Sequence, residues 1–146
     1  MQALSFMIGE WELDYTVTQS GCATSMICGT GSMRYLFDGI YIGFDYQSRR
    51  KATGEVSGSA HAVFAWDVKA SLYRLYWFES SGSFLQAAGT LRDADTLALE
   101  WLGTNCTQIF KRVSADAIFL EMNIPDKDVV MRVDFSRAAG NKPPEA

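Results

Sequence analysis

Between Ala60 and Leu102 the chain reads AHAVFAWDVKASLYRLYWFESSGSFLQAAGTLRDADTLALEWL, and this stretch leaves few folds open. Apolar and polar residues alternate with period two over four runs, broken by turn-forming steps at Lys69-Ala70, Ser81-Gly82 and Asp93-Ala94. A period of two sends successive side chains to opposite faces of a strand. Walking the register through those turns sets Trp66 opposite Tyr73, Phe64 opposite Leu75 and Ala62 opposite Trp77. It then sets Trp77 opposite Gln86 and Leu75 opposite Ala88, and next Leu97 by Thr90, Leu99 by Ala88 and Trp101 by Gln86. Each pairing keeps the rings on one face.

The rest of the chain extends the same pattern. Trp11, Leu13, Tyr15 and Val17 alternate with charged and hydroxylated residues, which predicts a half-buried first strand. An extended segment over 24–37 carries Gly29 and Gly31 in its middle, as bulges and sharp bends do. Asp38-Gly39 predicts a two-residue hairpin that pairs Phe37 with Ile40 and Tyr35 with Ile42. Turns at Gly103-Thr104, Ser114 to Asp116 and Pro125 to Asp128 bring Cys106, Gln108 and Phe110 beside Trp101, Leu99 and Leu97, Leu120 against Phe110, and Met122 against Gln108. A one-residue slip turns a whole strand over, so a face that stays apolar through seven strands is informative. The expectation is an all-β chain, an up-and-down antiparallel barrel of about ten strands, because closure satisfies every edge most simply; the alternative is a two-sheet sandwich, which usually needs longer cross-over connections. Met1, Leu4 and Met7/Ile8 recur at helical spacing and suit one or two helical turns that plug one end, or equally an irregular lead-in to the first strand. A length of 146 residues suits one domain. It is placed at 1–136, with 137–146, RAAGNKPPEA, as a frayed tail.

Composition excludes several function classes. The net charge is −4 with both signs interspersed, which is no nucleic-acid footprint; Arg49-Arg50-Lys51 reads as a solvated turn. No apolar run approaches a membrane span. Three cysteines without C-x-x-C spacing indicate neither a disulfide framework nor a zinc site, so reduced thiols in a cytoplasm are expected. No Ser-His-Asp context, phosphate loop, cofactor motif or metal-ligand set is visible.

The Gly9-Glu10-Trp11 at the head of the first strand matches the G-x-W of many small barrels. With "FMIGEWELDYTV", the Asp-Gly hairpin, "YRLYWFESSGSFLQAAGTL" and "TLALEW", the chain resembles the calycin superfamily and within it small bacterial lipocalin-like domains. The resemblance implies a ligand-binding barrel. More distant relatives are the nitrobindin-like haem barrels and the fatty-acid-binding proteins. Leu13 and Tyr15 stand where the nitrobindin opening has glycines, and Arg132-Val133-Asp134 stands where the fatty-acid-binding proteins have R-x-Y.

On the face assigned to the interior, Gln86, Gln108 and Cys106 interrupt the apolar rows, while Glu79 and Arg112 fall near opposite rims. An apolar cavity with a few placed polar groups is the composition of a small-molecule site. The expected ligand contacts are Trp66, Tyr73, Trp77 and Trp101 by aromatic area, Gln86 and Gln108 by orienting hydrogen bonds, Met122 beside Gln108, and Arg112 toward an acidic head group. His61, the only histidine, falls on the outer row, which speaks against haem ligation. That row also carries Val63, Leu72, Tyr76, Phe78 and Leu85, an apolar stripe that suggests a homodimer. The leading expectation is therefore a binding module for a small, mostly apolar ligand. The alternatives are a filled barrel that works through its outer face and a cofactor-independent enzyme on a hydrophobic substrate.

Overall fold

The structure, a computed structural model, describes residues 1–138. A 3-10 turn over Gln2–Met7 precedes eleven strand segments: β1 (Gly9–Gln19), β2 (Cys22–Thr24), β3 (Ile27–Leu36), β4 (Tyr41–Arg50), β5 (Val56–Asp67), β6 (Leu72–Glu79), β7 (Phe84–Asp93), β8 (Thr96–Trp101), β9 (Thr107–Ser114), β10 (Ala117–Ile124) and β11 (Val129–Arg137). Each strand from β3 to β11 pairs antiparallel with its sequence neighbour, and β1 pairs with β3. The short β2 extends that first hairpin, pairing only Gln19, Thr18 and Val17 of β1. Closure comes from β1 and β11, in register from Trp11↔Arg137 to Gln19↔Val129. The result is a closed ten-stranded antiparallel barrel. A sandwich is thereby excluded.

The register follows the alternation almost throughout. Trp66↔Tyr73, Phe64↔Leu75 and Ala62↔Trp77 pair as the turn at Lys69-Ala70 requires. Leu97↔Phe110 and Leu99↔Gln108, then Leu120↔Phe110 and Met122↔Gln108, carry the same face around the ring. One strand departs. The β6–β7 connection holds one residue more than a two-residue turn, with Gly82 at φ +92° and the Glu79 amide donating to the Ser83 carbonyl. Phe78 therefore faces Phe84 and Trp77 faces Leu85, which turns Gln86 outward. A bulge between Leu91 and Asp93 at the next turn restores the parity, so Trp101 meets Ala87 and Leu97 meets Leu91. Two opposite slips thus invert β7 alone. The first hairpin turn also differs: Phe37 and Asp38 take left-handed backbone, and Phe37 and Ile40 sit exposed in a four-residue turn rather than paired.

Leu4, Phe6 and Met7 of the 3-10 turn are buried under the end where β1 begins, which decides between a plug and an irregular lead-in in favour of the plug. Burying such side chains contributes roughly 1.5–3 kcal/mol each as an upper estimate. The indole N–H of Trp11 donates to the Met7 carbonyl at 2.9 Å. The latch that holds this plug is Arg137, the last residue of β11, at a position assigned to the frayed tail. Its side chain is 4% exposed. Its guanidinium donates to the carbonyls of Ala115 at 2.8 Å, Ile8 at 2.7 Å and Phe6 at 3.5 Å, and stacks 4.3 Å from the Trp11 ring centre. The remainder of the expected tail lies outside the described residues, apart from Ala138. Among the described residues no helix is long and apolar enough to cross a membrane.

Candidate ligand site at the open mouth

The barrel's two ends differ. Toward the plug, the lumen is filled by Trp11, Phe64, Leu75, Leu97 and Phe110, all essentially without solvent exposure. Toward the other end the packing opens into a cavity of about 70 Å³, lined by Leu13, Tyr15, Phe44, Tyr46, Trp77, Leu120, Met131, Val133 and Phe135. The tiers meet at Phe44, whose ring lies 6.0 Å from Phe135 and 6.1 Å from Trp77. Gly31 makes room for it, since a Cβ there would lie 2.8 Å from the Phe44 ring edge and 3.2 Å from Leu13. A space this small holds a couple of waters or the end of a chain.

Aromatic side chains build the wall. Tyr46 stacks obliquely on Trp77 at 5.4 Å, and Trp77 meets Trp101 edge-on at 6.2 Å. Burial raises the Tyr15 hydroxyl far above the ordinary phenol range, with Tyr46 and Cys28 adding to the effect. Burial likewise raises Tyr46, with a smaller contribution from Glu79. Both phenols stay neutral and act as donors at physiological pH. Gln108 is 3% exposed, and its amide oxygen accepts from the Trp101 indole at 3.0 Å. Its NH₂ group has no partner, an uncommon state for a buried amide.

Outside the cavity lie two further recesses. Tyr15 also lines a groove of about 860 Å³ with Val17, Thr24, Ser25, Met26, Ile27 and the turn residues Arg50 to Thr53. Tyr46 also lines a polar recess of about 240 Å³ formed by Ser48, Ser57, Ser59, Ser80, Ser81 and Glu79. Glu79 accepts there from the Trp77 indole at 3.1 Å and from Ser81 at 3.2 Å. Mostly apolar, with polarity confined to the lips, the mouth suits an amphiphile better than a polar substrate.

The expected contacts divide between the ends. Trp77, Trp101, Gln108 and Met122 cluster at the mouth, on the open ends of β6, β8, β9 and β10. Trp66 and Tyr73 meet edge-to-face at 4.7 Å at the plugged end, where Trp66 is 42% exposed. Arg112 is at the plugged rim too, paired with Asp95 at 2.7 Å and 5.7 Å from the Phe6 ring. It faces the plug and not the mouth. Gln86 is exposed on the outer face because β7 is inverted. Leu85 correspondingly moves from the outer stripe to the inward row. Tyr15, Tyr46 and Met131 are not among the expected contacts although each sits on an alternating apolar row; only ring closure, the β1–β11 pairing, brings Met131 of β11 to the cavity that Tyr15 and Tyr46 line.

His61 points outward, as expected, with Nδ1 2.6 Å from Asp45. Burial pushes the Asp45 carboxyl up, but the hydrogen bonds and charges of His61 and Arg34 outweigh it and hold the group below the usual carboxylate range. Among the described residues no cluster of three or more His, Cys, Asp or Glu side chains is placed to hold a metal ion.

No protein-family model matches the chain, and no curated protein does. Solved structures match it. The S-type phycobiliprotein lyase from Guillardia theta aligns over 99% of this chain and 92% of its own, with a TM-score of 0.51 at 10% identity. What is shared is the barrel. A redesigned β-barrel aligns over 93% and 95% with a TM-score of 0.50 at 13% identity. A de novo fluorescence-activating barrel reaches 0.49 over 94% and 99% at 14% identity. At such identities the likeness is one of fold alone.

Proposed function

We propose that this protein is a cytoplasmic lipocalin-like binding module that takes a small, mostly apolar ligand at the open mouth of the barrel. One observation carries the reading. Tyr15 lines both the inner cavity and the apolar rim groove, so a ligand seated in the groove lies against the residue that borders the aromatic wall of Trp77 and Tyr46. Trp101, Gln108 and Met122 flank that wall, and the unpartnered Gln108 NH₂ is a donor for a ligand acceptor. Free thiols at Cys22, Cys28 and Cys106 agree with a reducing compartment. Titration with the neutral probe N-phenyl-1-naphthylamine is expected to give saturable probe emission and tryptophan quenching. Trp77→Ala is expected to weaken binding about tenfold, about 1.4 kcal/mol, while Trp66→Ala at the plugged end leaves the affinity unchanged. Unaltered fluorescence at saturating probe would overturn the assignment.

A second reading rests on the outer face. Phe84 is 73% exposed and Phe78 50% exposed, and they lie directly opposite each other on β7 and β6 beside Tyr76 and Val63. We propose self-association through this patch. Light scattering after size exclusion is expected to show a dimer that Phe84→Asp converts to monomer; a wild-type monomer at tens of micromolar would remove the idea.

A further inference from the structure

We infer that the ligand is a free single-chain amphiphile whose anionic head group is held by Arg50 at the lip of the groove. The inference rests on the mouth-binding reading and adds the ligand's charge and orientation. Arg49-Arg50-Lys51 is the chain's densest run of positive charge, and the structure shows that its members do different work. Arg49 donates to Gln47 at 2.7 Å and to the Gly54 carbonyl at 3.0 Å. Lys51 is held by Asp14 at 2.6 Å and by Ser25 at 2.7 Å. The Arg50 guanidinium has no hydrogen bond or ion pair among the described residues, yet its side chain lines the apolar groove.

The Arg50 backbone is pinned in both directions. Its amide donates to the Glu55 carbonyl at 2.9 Å, and its carbonyl accepts from the Gly54 amide at 2.8 Å. Its placement at the lip is therefore built into the turn. Among the described residues no acidic residue lines the groove, and the Asp14 carboxylate beside Lys51 is already paired with it. The recess thus offers apolar walls from Tyr15, Val17, Met26 and Ile27 and a net positive lip. That is complementary to an apolar chain ending in a carboxylate or similar anion, which a guanidinium binds through two parallel hydrogen bonds. The groove's volume of about 860 Å³ is that of a small-molecule site, large enough for the apolar chain on its own, with the 70 Å³ cavity on the other side of Tyr15.

Dodecanoate and dodecanol, each below the concentration at which it aggregates, separate the inference from the reading beneath it. Dodecanoate is expected to displace the neutral naphthylamine probe about tenfold more tightly than dodecanol in low salt, with the difference shrinking as salt is raised. Arg50→Gln is expected to abolish the difference by weakening dodecanoate about tenfold relative to dodecanol. Equal affinity of the two for the wild-type protein would overturn the role of Arg50 while leaving mouth binding intact. Binding of neither would overturn both. Arg50-dependent sedimentation with phosphatidylglycerol vesicles, without binding of free dodecanoate, would overturn it in favour of a membrane surface.

Discussion

Arg137→Ala is expected to lower the unfolding free energy by about 3 kcal/mol, the largest loss from removing any one polar side chain in this barrel. The guanidinium is 4% exposed and serves three backbone carbonyls: Ile8 and Phe6 of the plug and Ala115 of the β9–β10 turn. Truncation leaves those acceptors short of a donor and strips the cation from the face of the Trp11 ring. Hydrogen bonds to a charged group contribute about 1.5–3 kcal/mol and a desolvated cation–π contact up to about 2 kcal/mol, offset in part by the cost of burying the charge. Asp116 adds little, since it is 3.8 Å away and well exposed. Denaturant unfolding at neutral pH measures the loss. Arg137→Lys is expected to recover only part of it, because an ammonium cannot reach carbonyls on three segments and stack flat on the indole. A loss below about 1 kcal/mol in the alanine variant would mean that the plug is held by the burial of Leu4, Phe6 and Met7 alone.

Gly89→Ala is expected to cost at least about 3 kcal/mol or to abolish folding, against about 1–2 kcal/mol for Gly31→Ala. Both glycines lie on inward rows, but they accommodate different neighbours. A Cβ on Gly89 would overlap the Ala98 carbonyl oxygen and lie 2.9 Å from the Leu99 Cα. Those are backbone atoms of the paired strand, so relief requires parting β7 from β8. At Gly31 the obstacle is the edge of the Phe44 ring, which a small rotation eases at some cost to its contacts with Trp77 and Phe135. Paired unfolding curves test the contrast, and equal losses at the two positions would refute it. The solubility of the Gly89 variant is itself a readout, since an opened β7–β8 seam exposes strand edges.

How far the sequence carried depends on the range of the interaction concerned. Alternation in β5 and β6 and the Lys69-Ala70 turn set Trp66 opposite Tyr73 correctly, because a side chain's face follows from its parity and a short turn. At Ser81-Gly82 the same reasoning missed one residue, because dipeptide chemistry does not separate a two-residue turn from a three-residue loop with glycine in left-handed backbone. The bulge near Asp93 cancelled the error for every later strand, so it stayed within β7, where Gln86, Ala88 and Thr90 were placed inward and Leu85 outward. A helical turn was legible in the spacing of Leu4 and Met7, whereas its role as a plug and its latch were not. Arg137 looked like tail because its partners Ile8 and Phe6 stand at the far end of the chain.

Strand identity, strand number and the apolar row are properties of neighbouring residues, and reading along the chain was enough to obtain them. Height along the barrel axis is not such a property. The stagger of the strands and the β1–β11 seam place Tyr15 and Met131 beside Tyr46 and Trp77 at one end and consign Trp66, Tyr73 and Arg112 to the other. Which aromatic residues surround an opening and which merely fill the cylinder is therefore set by closure, a contact between the two ends of the chain that no local pattern encodes.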